Sequence, residues 1–285
     1  MSNATSHSLV LPIAADRADD ARVHAAASPS VHAPLRAEGL TVSFGGLTAV
    51  KQLDIEVRCH EVHALIGPNG AGKTTAVNAL SGFIAPTAGQ VWIDGITSPC
   101  WHSHTLARAG LARTFQNIRL FGSMSVLESV LVGAHVNFRS NPIAALLRTR
   151  SARMEEQAAL DEARRLIEFV GLPAEAETTQ ATSLSYGHQR RVELARALVS
   201  NPKVLLLDEP LAGMNVAEKL ELTELIRKIS ASGVAILLIE HDMEVIRALT
   251  DRVTVLHHGR KLVEGTAHAV LANDDVKAAY LGRAR

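Results

Sequence analysis

The sequence predicts an α/β fold built around a mainly parallel sheet. Three observations carry the prediction. Residues 204–207, 234–239 and 253–256 are continuous apolar runs with the length of strands buried on both faces. Helical stretches separate these runs, so strand and helix alternate in the second half of the chain. In the first half, a short apolar run at residues 62–66 leads through a glycine-rich loop into a helix expected from Lys73.

The elements follow in order. Residues 1–35 are rich in Ala, Ser, Asp and His, and the first aromatic residue of the chain is Phe44. Such a segment has too few bulky apolar side chains to offset its ordering entropy, so a disordered tail is expected, with a helix over residues 14–27 as the competing reading. Alternation at residues 40–44 and 53–57 marks two half-buried strands, and Gly45 and Gly46 mark a turn between strand segments. The helix from Lys73 is expected to run to Leu80 and stop at Gly82. Residues 91–93 read as a strand turning at Asp94 and Gly95. Residues 105–200 read as mostly helical. There, Ser125 and Glu128 have the spacing of a capping box, and a charged helical pattern over residues 150–170 ends at Gly171 and Pro173.

Composition narrows the function classes. The 285 residues are 47% hydrophobic and 20% charged, ordinary for a globular protein of one large or two small domains. Lys plus Arg and Asp plus Glu each number 29, which removes any overall charge-driven attraction to nucleic acid. Aromatic residues at 4% are too sparse for a base-stacking surface. Two cysteines, Cys59 and Cys100, cannot build a disulfide framework or a four-cysteine zinc site. Residues 9–15 are apolar but short and follow a start without Lys or Arg, unlike a secretory signal, and no apolar run is long enough to span a bilayer. A cytoplasmic chain is expected.

The chemistry is concentrated at two places. Gly67, Pro68, Asn69, Gly70, Ala71, Gly72, Lys73 and Thr74 fit G-x-x-x-x-G-K-[ST] between a strand and a helix. Glycines let the backbone wrap phosphate oxygens, and the amides and helix N-terminus face the anion. Lys73 would add a charge at the β and γ phosphates, and Thr74 a hydroxyl for Mg²⁺. The apolar run at 204–207 ends in Asp208, Glu209 and Pro210, where parallel sheets bind ligands. Asp208 would join the Mg²⁺ shell, partly through water, and Glu209 would act on the attacking water as general base. The pair His257 and His258 adjoins a glycine turn and reads as surface.

Leu184, Ser185, Tyr186, Gly187 and His188, just before the acidic strand, resemble the signature motif of ATP-binding cassette (ABC) proteins, usually LSGGQ. Together with the phosphate loop, Asp208, Glu209, Gln116 and His241, they make residues 36–285 resemble an ABC nucleotide-binding domain. The resemblance implies a P-loop NTPase (RecA-like) core, an N-terminal antiparallel β-subdomain and an inserted helical subdomain at about 106–190. It also implies an Mg²⁺-dependent ATPase whose ATP contacts extend over residues 67–74 and Thr75. Phe44 takes the place of the aromatic residue that stacks on adenine, with Val50 touching the same base. Gln116 matches the Q-loop residue that reaches Mg²⁺ and water, and His241 the switch histidine at the γ phosphate. Residues 211–215 match the D-loop. Ser185 and Gly187 would close over the nucleotide of a facing cassette in a head-to-tail dimer. Tyr186 and His188 depart from the usual Gly and Gln, and Asn215 from the usual D-loop Asp.

Residues 112–130, with Ser185 to Arg196, Ala212 to Asn215, Ile239 to Met243 and Ala279 to Gly282, are similar to the LivG-type subunit of branched-chain amino-acid importers. The lengthened stretch at residues 137–156 also suits that type. The implied partners are two membrane permeases, a LivF-type sister cassette or a second copy, and, indirectly, a periplasmic solute-binding protein. The implied location is the cytoplasmic face of the inner membrane. Relatives of this type also serve urea, short amides and aromatic acids. An exporter ATPase or a soluble ABC ATPase remain the alternatives. Ile118, Leu120 and Phe121 would anchor a permease helix if they are not core residues.

Overall fold

Two sheets organise the residues described by this computed structural model, which are 33–97, 102–137 and 149–281. The first is antiparallel, in the order β2-β1-β4-β5, from β1 (Leu35–Phe44), β2 (Leu47–Val57), β4 (Ala88–Ile93) and β5 (Ile96–Thr97). Both β1 and β2 alternate buried and exposed side chains, so one face packs on the core. Leu35, at the edge of the expected tail, is already fully buried in β1. The remainder of the expected tail and its competing helix fall on residues 1–32, outside the described residues.

The second sheet runs β10-β9-β3-β8-β7-β6. Its strands are β3 (Val62–Ile66), β6 (Leu111–Arg113), β7 (Val204–Asp208), β8 (Ala235–Ile239), β9 (Arg252–His257) and β10 (Arg260–Gly265). All are parallel except β10, which pairs antiparallel with β9. Every residue of β3 and β8 is buried, which is why these strands read as unbroken apolar runs. Helices cover the faces: α1 (Lys73–Leu80), α2 (Ser103–Arg108), α6 (Val216–Ala231), α7 (Met243–Leu249), α8 (Ala267–Ala272) and α9 (Asp274–Leu281).

Between β6 and β7 the chain builds a helical block of α3 (Val126–Ala134), α4 (Arg150–Phe169) and α5 (Tyr186–Leu198). Ser125 caps α3 through the expected capping box with Glu128. The α3 and α5 backbones meet at Gly133, where a Cβ would lie 1.9 Å from the Arg196 carbonyl oxygen. The helical reading of residues 105–200 needs one correction: β6 lies within it. Three residues are too few to show a period, and the strand exists because its backbone pairs with buried β7. The part of the 137–156 stretch between 138 and 148 lies outside the described residues. Strand β10 was not read from sequence either. It is polar and half-exposed, and pairing with β9 defines it.

Candidate functional site

The phosphate loop leaves β3 at Gly67 and enters α1 at Lys73. Two close approaches require glycine there. A Cβ on Gly67 (φ +153°) would lie 2.1 Å from the Leu256 carbonyl oxygen, and one on Gly72 (φ +101°) 2.4 Å from that of Ala49. The second contact also brings the turn end of the β1–β2 hairpin, which carries Phe44, against the loop. Helix α1 has no side-chain cap and no acidic residue in its first turn, so its leading amides are left for an anion. The Lys73 ammonium donates to the Gly67 carbonyl at 2.7 Å and the Pro68 carbonyl at 3.0 Å. Burial lowers its pKa, and the charges of Glu209 and Asp208 oppose that shift.

Parallel pairing delivers the acids to the same place. Asp208 sits opposite Ile239 at the ends of β7 and β8. Glu209 then turns the chain with φ +46°, and its N–H donates to the Ile239 carbonyl at 2.9 Å. Its carboxylate accepts from Gln116 Nε2 at 2.8 Å. His241 Nδ1 lies 3.9 Å from Glu209 Oε1 and the same distance from Glu240 Oε2. Lys73, Asp208, Glu209, Gln116 and His241 thus converge. Thr74, Gln116 and Asp208 offer hydroxyl, amide and carboxylate oxygens, the hard donors that suit Mg²⁺ with water completing the shell.

Not every expected contact is assembled. Phe44 is half exposed, as a stacking platform needs, but Val50 is corrected: it is fully buried and packs inside the core with Val42 and Leu53, leaving no surface for a base. Ser185 is exposed and caps α5, while Gly187 is buried in the first turn of α5. Both stand on the helical block. Leu120 packs against the core, Ile118 is half-buried and Phe121 is exposed. The His257 and His258 rings lie 4.1 Å apart, with His258 exposed. The Asn215 departure keeps a function: its side chain accepts from the Glu218 N–H at 3.0 Å, and Glu218 returns the bond to the Asn215 N–H, also at 3.0 Å.

Two residues at the site escaped the sequence reading. Arg113, at the end of β6, donates to Asp208 Oδ2 at 3.0 Å and to Asn78 Oδ1 and Ser81 Oγ of the α1 region at 2.8 Å each. Its guanidinium also lies over the rings of Phe83 and Phe115. It therefore fastens the acidic strand end to the helix that follows the phosphate loop. Glu240 is buried beside His241 and accepts from the Leu211 N–H at 3.1 Å, so it joins the switch loop to the D-loop. Burial pushes its carboxyl pKa up. The signal for both was available: a charged residue beside a buried strand needs a partner.

Comparison with known proteins agrees with this geometry. The family described as ABC transporter matches residues 50–212. The chain is 43% identical over 251 residues to the high-affinity branched-chain amino acid transport ATP-binding protein BraF of Pseudomonas aeruginosa, covering 88% of this chain and 98% of that one. The same figures hold for LivG of Escherichia coli. A solved ATP-binding cassette of an ABC transporter in its ADP conformation superimposes with a TM-score of 0.76 at 29% identity, covering 88% of this chain and 99% of that one.

Proposed function

The chain belongs to the ABC transporter family, as one of its ATP-hydrolysing subunits, and from that premise we propose that it couples Mg²⁺-dependent ATP hydrolysis to uptake of branched-chain or related amino acids. The observation that carries the chemistry is the convergence of Gln116 and Lys73 on the strand-end acids Asp208 and Glu209. The cargo rests on the stated activity of BraF and LivG, matched along nearly their whole length.

In this reading the amides of residues 67–72 hold phosphate oxygens, and Lys73 neutralises their charge. Thr74, Asp208 and Gln116 hold Mg²⁺, which when bound offsets the charge on the transferring phosphoryl group. Glu209, held by Gln116, takes the proton of the attacking water, and His241 orients the same water from the other side. Phe44 covers the base by stacking. Ser185 and Gly187 act on the nucleotide of a facing cassette, a LivF-type sister or a second copy. Two permeases hold the pair at the cytoplasmic face of the inner membrane. No helix among the described residues is long and apolar enough to cross a membrane.

Affinity purification of the chain from its host's membranes tests the reading. The expected result is recovery of two hydrophobic permeases, a sister cassette and a solute-binding protein that binds leucine, isoleucine or valine. Recovery only from the soluble fraction, with ribosomes or DNA, overturns the transport assignment.

A further inference from the structure

Helix α5 carries a pair of charges that the hydrolysis scheme does not use. Arg190 and Glu193 are each about 1% exposed and joined at 2.7 Å. Removing two charges from water costs several kcal/mol each, and a buried pair repays this only with further hydrogen bonds. Those bonds lead to one place. Arg190 Nη1 donates to the Phe115 carbonyl at 2.7 Å, and Nη2 to the Gln116 carbonyl at 2.5 Å. The second oxygen of Glu193 accepts from the Phe115 N–H at 3.4 Å. One turn further along the same face, Arg196 donates to the Arg119 carbonyl at 2.5 Å and lies 3.7 Å from Glu193. The backbone that presents the Gln116 side chain to Glu209 is thus tied to α5 at successive residues.

Tyr186, the departure from glycine in the signature motif, completes this arrangement. Its hydroxyl accepts from Arg190 Nη2 at 3.3 Å, and its ring lies 5.7 Å from the guanidinium carbon. The ring also lies beside the D-loop: a Cβ built on Gly213 would stand 3.6 Å from it. A glycine at 186 could make neither contact.

We propose that Arg190, braced by Glu193 and Tyr186, is a positioning residue that sets Gln116 against Glu209 by tying the Q-loop backbone to the start of α5. The inference rests on the ATPase reading. A buried ion pair kept only for stability would hold its own helix together. This one spends its hydrogen bonds on the carbonyls on either side of a glutamine in the site.

A double-mutant cycle in the intact transporter complex tests this, with ATP hydrolysis and ATP affinity measured together. Arg190→Lys cannot reach two carbonyls and a carboxylate at once. It is expected to lower kcat about tenfold or more while KM for ATP stays within about twofold. Tyr186→Phe, at a half-exposed ring where folding is not at stake, is expected to lower kcat about threefold. In a Gln116→Ala background both changes are expected to have little further effect, because residues acting through one another are not additive. Effects that multiply in that background, or a change in KM alone, overturn the inference with the ATPase reading intact. If Arg190→Lys fails to fold, the Tyr186→Phe cycle decides by the same criterion. An unaltered complex that hydrolyses no ATP overturns the ATPase reading, and this inference with it.

Discussion

Glu209 occupies a backbone conformation that ordinary residues avoid. Its φ of +46° costs about 1 kcal/mol or more. The turn is held by its N–H on the Ile239 carbonyl, and it aims the carboxylate back at Gln116 rather than onward into the loop. Strain of this kind persists where the surroundings over-determine it, which here is the junction of two buried strands. The charge of this carboxylate, and not its shape, is what a general base supplies. Glu209→Gln is therefore expected to retain nucleotide affinity within a few-fold and to slow turnover by about 10²–10⁴-fold. Steady-state hydrolysis and equilibrium nucleotide binding check this, and turnover at the unaltered rate sinks the assignment.

At the scale of elements, caps decide where helices begin. The reciprocal bonds of Asn215 and Glu218 satisfy two amides at the start of α6, the helix that carries the D-loop's far end. Asn215→Ala is expected to cost about 1 kcal/mol and to lower the thermal midpoint by about 2–4 °C. Asn215→Asp caps as well and is expected to leave the midpoint in place. Thermal unfolding of the two variants side by side distinguishes a cap from a residue that matters only across a dimer. The capping box at Ser125 was legible because its pattern is local. The clamp from α5 onto the Q-loop was not, since Arg190 and Gln116 are 74 residues apart and only packing makes them neighbours.

At the scale of the whole molecule, a polar network centred on buried His63 joins the two sheets. His63 in β3 is fully buried, with Nδ1 donating to the Glu56 carbonyl of β2 at 2.9 Å and Nε2 lying 2.8 Å from Thr254 Oγ1 of β9. Arg252 reaches Glu61 at 2.8 Å and Glu264 of β10 at 3.0 Å, and Lys261 also reaches Glu264, at 3.0 Å. Burial, with the Arg252 charge, pushes the His63 pKa down from 6.5 to about 4. The folded state thus binds this proton more weakly than the unfolded chain does. The stability is complete above about pH 6.5 and is lost progressively as pH falls towards 4, by on the order of 3 kcal/mol in all. Denaturant midpoints across that range are expected to fall for the unaltered chain and to flatten in His63→Gln. Equal slopes in both would show that another group carries the effect.

The order of chemistry along the chain is legible in the sequence: a phosphate loop after one buried strand, two acids after another, and a histidine after a third. Each is a local pattern of glycine, charge and unbroken apolar residues, so it survives without coordinates. The sequence did not reveal β6, whose three residues carry no period, or β10, whose polar residues become a strand only by pairing with β9. Val50 shows the reverse case, since a family position suggested a base contact where alternation along β2 turns the side chain inward. Packing decides which distant polar groups meet. Arg113 finds Asp208, Glu240 finds the D-loop and Arg190, besides its helix neighbour Glu193, finds the Q-loop, because a buried charge needs every partner it can reach and packing supplies the distant ones.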